Sequence, residues 1–265
     1  MENREILERK RPPADFRISY GAAPRQFGDL RVPRPAAAKH PVAIVLHGGF
    51  WRARFTLDYM GHLCAFLQRA GMATWNLEFR SIGDAGGAWP GTFDDAAAGA
   101  SHLLRIADEH NLDLARIVMV GHSAGGQLAL WLASKQPSRG CVSLGGVADL
   151  KRAWELGLGD GVVAELLGGS PSEVPERYRA ADPMQLLPLG VSQRLIHGRG
   201  DTIVPFEIAE RYAEAAQAKG DDAKLIALDG GHFEPVDPET AQWAAASAEI
   251  LQMVAQPSDA AEKAG

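Results

Sequence analysis

The chain has 265 residues, 46% of them hydrophobic, which is enough for a large buried core, and α/β chains of this length commonly form one domain. A net charge of −6 without a basic stripe argues against nucleic acid as a partner. No apolar run reaches membrane-span length and residues 1–19 lack a signal-peptide core, so no membrane association and a cytoplasmic location are expected.

Residues 1–19 read as a solvated lead-in in which Arg4, Arg9, Lys10 and Arg11 alternate with acids. A single domain is expected over residues 20–255, beginning with antiparallel edge strands near residues 16–19 and 29–32. The apolar run 42–46 is a buried strand leading into His47-Gly48-Gly49-Phe50-Trp51. A helix is expected around 57–70, a strand at 73–76 and a helix near 93–109, with the glycine-rich loop 81–91 between the last two. The strand Ile117-Val118-Met119-Val120 then meets Gly121-His122-Ser123-Ala124-Gly125 and the helical run 127–133, followed by a strand at 141–144. Strand and helix patterns thus alternate, which predicts a mostly parallel, twisted sheet with helices on both faces.

From 149 to 189 the pattern changes to short helical pieces with Gly and Pro, read as a small cap insertion or, alternatively, a surface excursion. A strand through Leu195-Ile196-His197-Gly198 ends in Arg199-Gly200-Asp201, and Pro205 is expected to start the next helix. The strand 224–228 leads through Asp229-Gly230-Gly231 to His232, and a last helix ends near Val254, leaving a frayed tail at 256–265.

The stretch around Ser123 carries the most chemistry. A strand, a tight glycine turn and a helix hold a serine hydroxyl clear of a sheet, and glycines two residues to either side let strand and helix pass closely. A serine hydroxyl is a weak nucleophile at neutral pH, so an imidazole must take its proton and return it to the leaving group; His232 is the candidate. Asp201, at a strand's carboxyl end, is the candidate that fixes the imidazole tautomer and stabilises the imidazolium. The order serine, acid, histidine is that of one known arrangement of this triad. Acyl transfer also builds charge on a carbonyl oxygen, for which the amides of Gly49, Phe50 and Ala124 are the expected donors. The remaining histidines, His122 among them, read as structural or solvated, and His197 as packing or bonding locally.

These motifs, together with Tyr20-Gly21, residues 26–30 and Gly231-His232-Phe233, resemble the α/β-hydrolase superfamily over residues 20–254. The resemblance is to the branch holding the kynurenine formamidases (arylformamidases) and the hormone-sensitive-lipase-like esterases. The His47-Gly48-Gly49-Phe50-Trp51 form is closer to the formamidases than to the H-G-G-G of the lipase-like esterases. It implies the α/β-hydrolase fold and a Ser-Asp-His hydrolase of small esters or amides, acting through an acyl-enzyme without metal or cofactor. Arylformamidase and short-acyl carboxylesterase are the two leading activities; exopeptidase and non-catalytic binding module are weaker ones, because the first usually needs a further domain and the second usually loses a triad member.

Phe50, Trp51 and Trp89 are candidate substrate-binding aromatics, with the alternative that Trp51 packs beneath its loop. Arg80 is expected in a structural ion pair, with Glu78 the nearest partner, or against a substrate carboxylate. Cys64 and Cys141 offer no disulfide framework or metal spacing and read as buried thiols. The expected partner is a small-molecule ester or amide substrate, with a homodimer left open.

Overall fold

The computed structural model describes residues 4–34 and 39–255, so the expected frayed tail lies outside the described residues. Among the described residues, eight strands form one sheet in the order β1-β2-β4-β3-β5-β6-β7-β8. The strands are β1 (Phe16–Ser19), β2 (Phe27–Arg31), β3 (His40–Leu46), β4 (Ala73–Leu77), β5 (Leu112–His122), β6 (Gly140–Leu144), β7 (Ser192–Gly198) and β8 (Ala223–Leu228). β1 and β2 form the antiparallel edge, and all the pairs from β4 through β8 are parallel. Parallel neighbours need crossovers, which the helices supply, so the carboxyl ends of the central strands open on one side.

The helices are α1 (Met60–Arg69), α2 (Gly91–Ile106), α3 (Ala124–Ala133), α4 (Leu150–Glu155), α5 (Leu158–Leu167), α6 (Pro175–Ala181), α7 (Pro183–Leu186), α8 (Phe206–Ala218) and α9 (Ala241–Ala255). Alternation along the central strands sorts the core into two layers. Val42, Ile44 and Leu46 pack with Met119, Cys141 and Leu195 against the α2, α3 and α8 side. Ala43 and Val45 pack with Val118, Val120, Val142 and Ile196 against α1 and α9. Both faces are apolar, which is why these strands read as continuous hydrophobic runs.

Three boundaries differ from the sequence reading. β5 begins at Leu112 rather than near 117, because its first residues continue the pairing with β3 at His40 beyond a register shift. α2 ends at Ile106, short of 109. Pro205 precedes α8 instead of starting it: its ψ of 135° is extended, and the helix opens at Phe206.

Between β6 and β7 lie α4 to α7, where the cap was expected. Asp182 anchors this segment at its base. Its carboxylate caps α7 through the amide of Met184 and also accepts from the amides of Leu150 and Lys151 at the start of α4. Burial pushes its carboxyl up to about 7, against the three amides that favour the charged form.

Candidate active site

Ser123 sits between β5 and α3 with φ 57° and ψ −121°, a sparsely populated conformation for a residue with a side chain. The surrounding glycines are required by space. A Cβ on Gly121 would lie 1.9 Å from the Gly125 carbonyl oxygen, and one on Gly125 would lie 2.2 Å from that of Leu46. The turn is therefore pressed against itself and against the end of β3, which holds Ser123 up at the carboxyl edge of the sheet.

Asp201 and His232 meet there as expected from the sequence, with His232 Nδ1 2.7 Å from Asp201 Oδ2. Burial alone would raise the Asp201 pKa, but it is outweighed by hydrogen bonds from His197 and His232, so the carboxyl is held well below the usual carboxylate range. Its other oxygen accepts from the amides of Ile203 and Val204. With Oδ2 the acceptor, Nδ1 of His232 carries the proton, which leaves Nε2 as the basic nitrogen. Ser123 and His232 line one small cavity of about 100 Å³ together with Gly49, Phe50, Phe55, Tyr59, His122, Ile203 and Phe233.

The loop after β3 supplies the third element. Phe50 and Trp51 both have left-handed backbones, at φ 56° and 53°. The amides of Gly49, Phe50 and Ala124 donate to no group among the described residues. Unpaired amides beside a strained serine are what stabilisation of a developing oxyanion needs. The amide of Gly48, by contrast, is committed to the Tyr59 hydroxyl at 2.7 Å.

The aromatics expected at the substrate divide. Phe50 is half-buried and lines the cavity. Trp51 does not: the left-handed turn sends its side chain beneath the loop, where it is 1% exposed and donates through Nε1 to Gln127. Gln127 in turn donates to the carbonyl of Ala181, so Trp51 belongs to the support that ties the loop to α3 and α6. Trp89 is not among the described residues lining this cavity; it packs edge-on against Phe93. Arg80 does form a structural ion pair, but with Asp95, whose carboxylate faces the guanidinium fork. Glu78 turns inward instead, toward Arg25 and His47.

Several residues have a part in the site that the sequence did not reveal, although His197 was expected to bond locally. His197 donates from Nε2 to the Val204 carbonyl, and the same nitrogen lies 3.1 Å from Asp201 Oδ2, so its local bonding also buttresses the acid. Gly145, at φ 54°, leaves the space beside the pair: a Cβ there would lie 3.2 Å from His232 Nδ1. His122 joins two loops. The Tyr59 hydroxyl donates to its Nδ1 at 2.7 Å, and its Nε2–H donates to the His232 carbonyl at 3.0 Å. Burial, then the neighbouring His232, holds His122 neutral well below the ordinary histidine range.

The profile of the BD-FAE family matches residues 29–215, most of the sheet and the Ser123 turn. The chain belongs to the BD-FAE family. Two probable isoprenylcysteine alpha-carbonyl methylesterases of Oryza sativa subsp. japonica are 25% identical over 248 and 239 residues, matching 80% of this chain. The chain spans only 55% and 56% of their lengths. Among solved structures, a truncated carbohydrate esterase from gut microbiota superposes with a TM-score of 0.82 at 18% identity, covering 93% of this chain and 98% of that one. A butyrate-bound thermophilic esterase of the Planctomycetes species Thermogutta terrifontis gives 0.74 at 19% identity, covering 92% and 94%. At these identities the likeness is one of fold, and it places this BD-FAE member in the α/β-hydrolase fold that the motifs resembled.

Proposed function

We propose that this chain is an esterase-type serine hydrolase acting on small carboxylic esters with short acyl groups. The observation that carries the reading is the convergence on one cavity of a strained serine, a buried Asp–His pair and unpaired backbone amides. In this reading His232 removes the Ser123 proton as the hydroxyl attacks the carbonyl carbon. Asp201 stabilises the resulting imidazolium, and the amides of Gly49, Phe50 and Ala124 receive the charge on the carbonyl oxygen. His232 then protonates the leaving alcohol. Water enters by the same base, frees the acid and restores Ser123.

Two things support a short acyl group: the small volume of the cavity, and its apolar walls of Phe50, Phe55, Ile203 and Phe233. Curated relatives named as methylesterases agree with ester chemistry. A second reading, arylformamidase, rests on the same small cavity, because formyl is the smallest acyl group, and on the His-Gly-Gly-x-Trp loop at 47–51.

The deciding experiment is kcat/KM for aryl acetate, butyrate and octanoate beside N-formyl-L-kynurenine, with Ser123→Ala as the control. Ester turnover that falls sharply at octanoate, with little formamide turnover, supports the esterase. A formamide rate far above every ester rate makes the chain an arylformamidase. Turnover that survives in Ser123→Ala overturns both.

A further inference from the structure

Besides the Trp51 tie, the loop that carries the Gly49 and Phe50 amides is held at Gly48 through both of that residue's polar groups. Its N–H donates to the Tyr59 hydroxyl, whose own proton goes to His122. Its carbonyl, which can only accept, lies 2.8 Å from Nδ1 of His47, so that nitrogen is the donor. The His47 ring is buried, stacks on Phe79 with centroids 4.4 Å apart and planes within 8°, and its Nε2 lies 3.2 Å from Glu78 Oε1. Glu78 is itself anchored by Arg25 and by the amide of Leu57. It is held below the ordinary carboxylate range even though burial opposes this, because His47, the Leu57 amide and Arg25 outweigh the burial.

In a trans peptide the carbonyl and the N–H point in opposite directions. The peptide whose oxygen His47 holds is the one whose N–H belongs to Gly49. Holding the oxygen inward, on the Glu78 side, therefore sets where the Gly49 N–H points. We propose that His47 is a positioning residue for the oxyanion hole, acting through the Gly48 carbonyl to aim the Gly49 amide at the reacting carbonyl oxygen. Glu78 and Phe79 hold the ring in the plane that this requires, and Tyr59 fixes the other side of Gly48. The assignment rests on the serine hydrolase reading above and adds to it a side chain that never touches the substrate.

The ring nitrogens can be tested separately. His47→Asn keeps a donor near the Nδ1 position, facing Gly48, and loses the link to Glu78; His47→Gln keeps a donor near the Nε2 position and loses the grip on Gly48. With a short-chain aryl ester, kcat of His47→Gln should fall about 10- to 100-fold, part of the cost of losing an oxyanion donor, while KM stays within about twofold. His47→Asn should stay within about fivefold of wild type. The Ki of a trifluoromethyl ketone, whose hemiketal oxygen occupies the oxyanion hole, should rise in step with the loss in kcat. Wild-type kcat in His47→Gln, or an Asn variant no better than the Gln variant, overturns the proposal; so does a loss that tracks a fall in melting temperature in both. Fluorophosphonate labelling of the wild type, with Ser123→Ala as control, is run alongside. Failure of that labelling would overturn the serine hydrolase reading itself, an outcome distinguishable from failure of the His47 assignment.

Discussion

The cavity has two kinds of wall. On one side stand Gly49, Ser123 and His232, fixed by backbone: a turn that leaves no room for a Cβ at Gly121 or Gly125, left-handed residues at Phe50 and Trp51, and a histidine bonded to a buried acid. The other lining residues include Leu7, Phe55, Ile203 and Phe233, with Arg4 beside them, and they offer the cavity mainly large apolar side chains. The first wall resists change because altering it moves the chain itself. The second can be re-cut one side chain at a time, so on the proposed reading reaction type and substrate choice would reside in different physical materials.

This contrast can be tested from its strongest side. Ser123→Ala should lower kcat by about 10⁵-fold or more while leaving the melting temperature near that of the wild type, since in the proposed mechanism the hydroxyl serves chemistry and not packing. Asp201→Asn comes next, with a loss of about 10³- to 10⁴-fold in kcat from loss of the tautomer and of the stabilised imidazolium. It also carries a pH signature. The folded Asp201 carboxyl lies below its unfolded value, so its stabilising contribution is present above the unfolded pKa of about 3.9 and is lost as pH falls toward the folded one. Melting temperature below about pH 4 should therefore drop less steeply in Asp201→Asn than in the wild type. Equal acid slopes would break the assignment of that hydrogen-bonded carboxylate.

What could be read in advance follows the same division. The Ser123 turn was legible because its glycines answer a steric demand of the backbone, and Asp201 and His232 because each stands on a loop just past an apolar strand. The mostly parallel sheet followed from the alternation of strand and helix patterns. Side-chain direction was not legible. Trp51 could be read either at the substrate or packed beneath its loop, and two consecutive left-handed residues decide for the second, turning it under the loop to Gln127, 76 positions away. His122 read as filler, yet it reaches the carbonyl of His232 across 110 positions, and Glu78 bypassed the nearby Arg80 for His47, 31 positions back. Periodicity reports only which face of an element is apolar, so a polar contact between the ends of separate strands leaves no local mark. Gly145 did carry a readable signal, a glycine at a strand's carboxyl end, but its reason is the imidazole beside it.

The smallest expected effect lies on the side-chain wall. Leu7 belongs to the short 3-10 turn Glu5–Leu7, whose Ile6 is buried in the core beneath it. Arg9 fastens the same segment through ion pairs to Asp237 and Glu239. Leu7 itself is 40% exposed, so it touches the cavity with only part of its surface, and Leu7→Ala removes no more than about 1 kcal/mol of apolar contact from a bound acyl chain. That corresponds to at most a roughly fivefold rise in KM for a butyrate ester. An acetate ester, with an acyl chain two carbons shorter, should keep its KM, and kcat should hold for both. A kcat loss shared by the two esters would mean that the segment supports the catalytic wall, and the two walls would then no longer be separable.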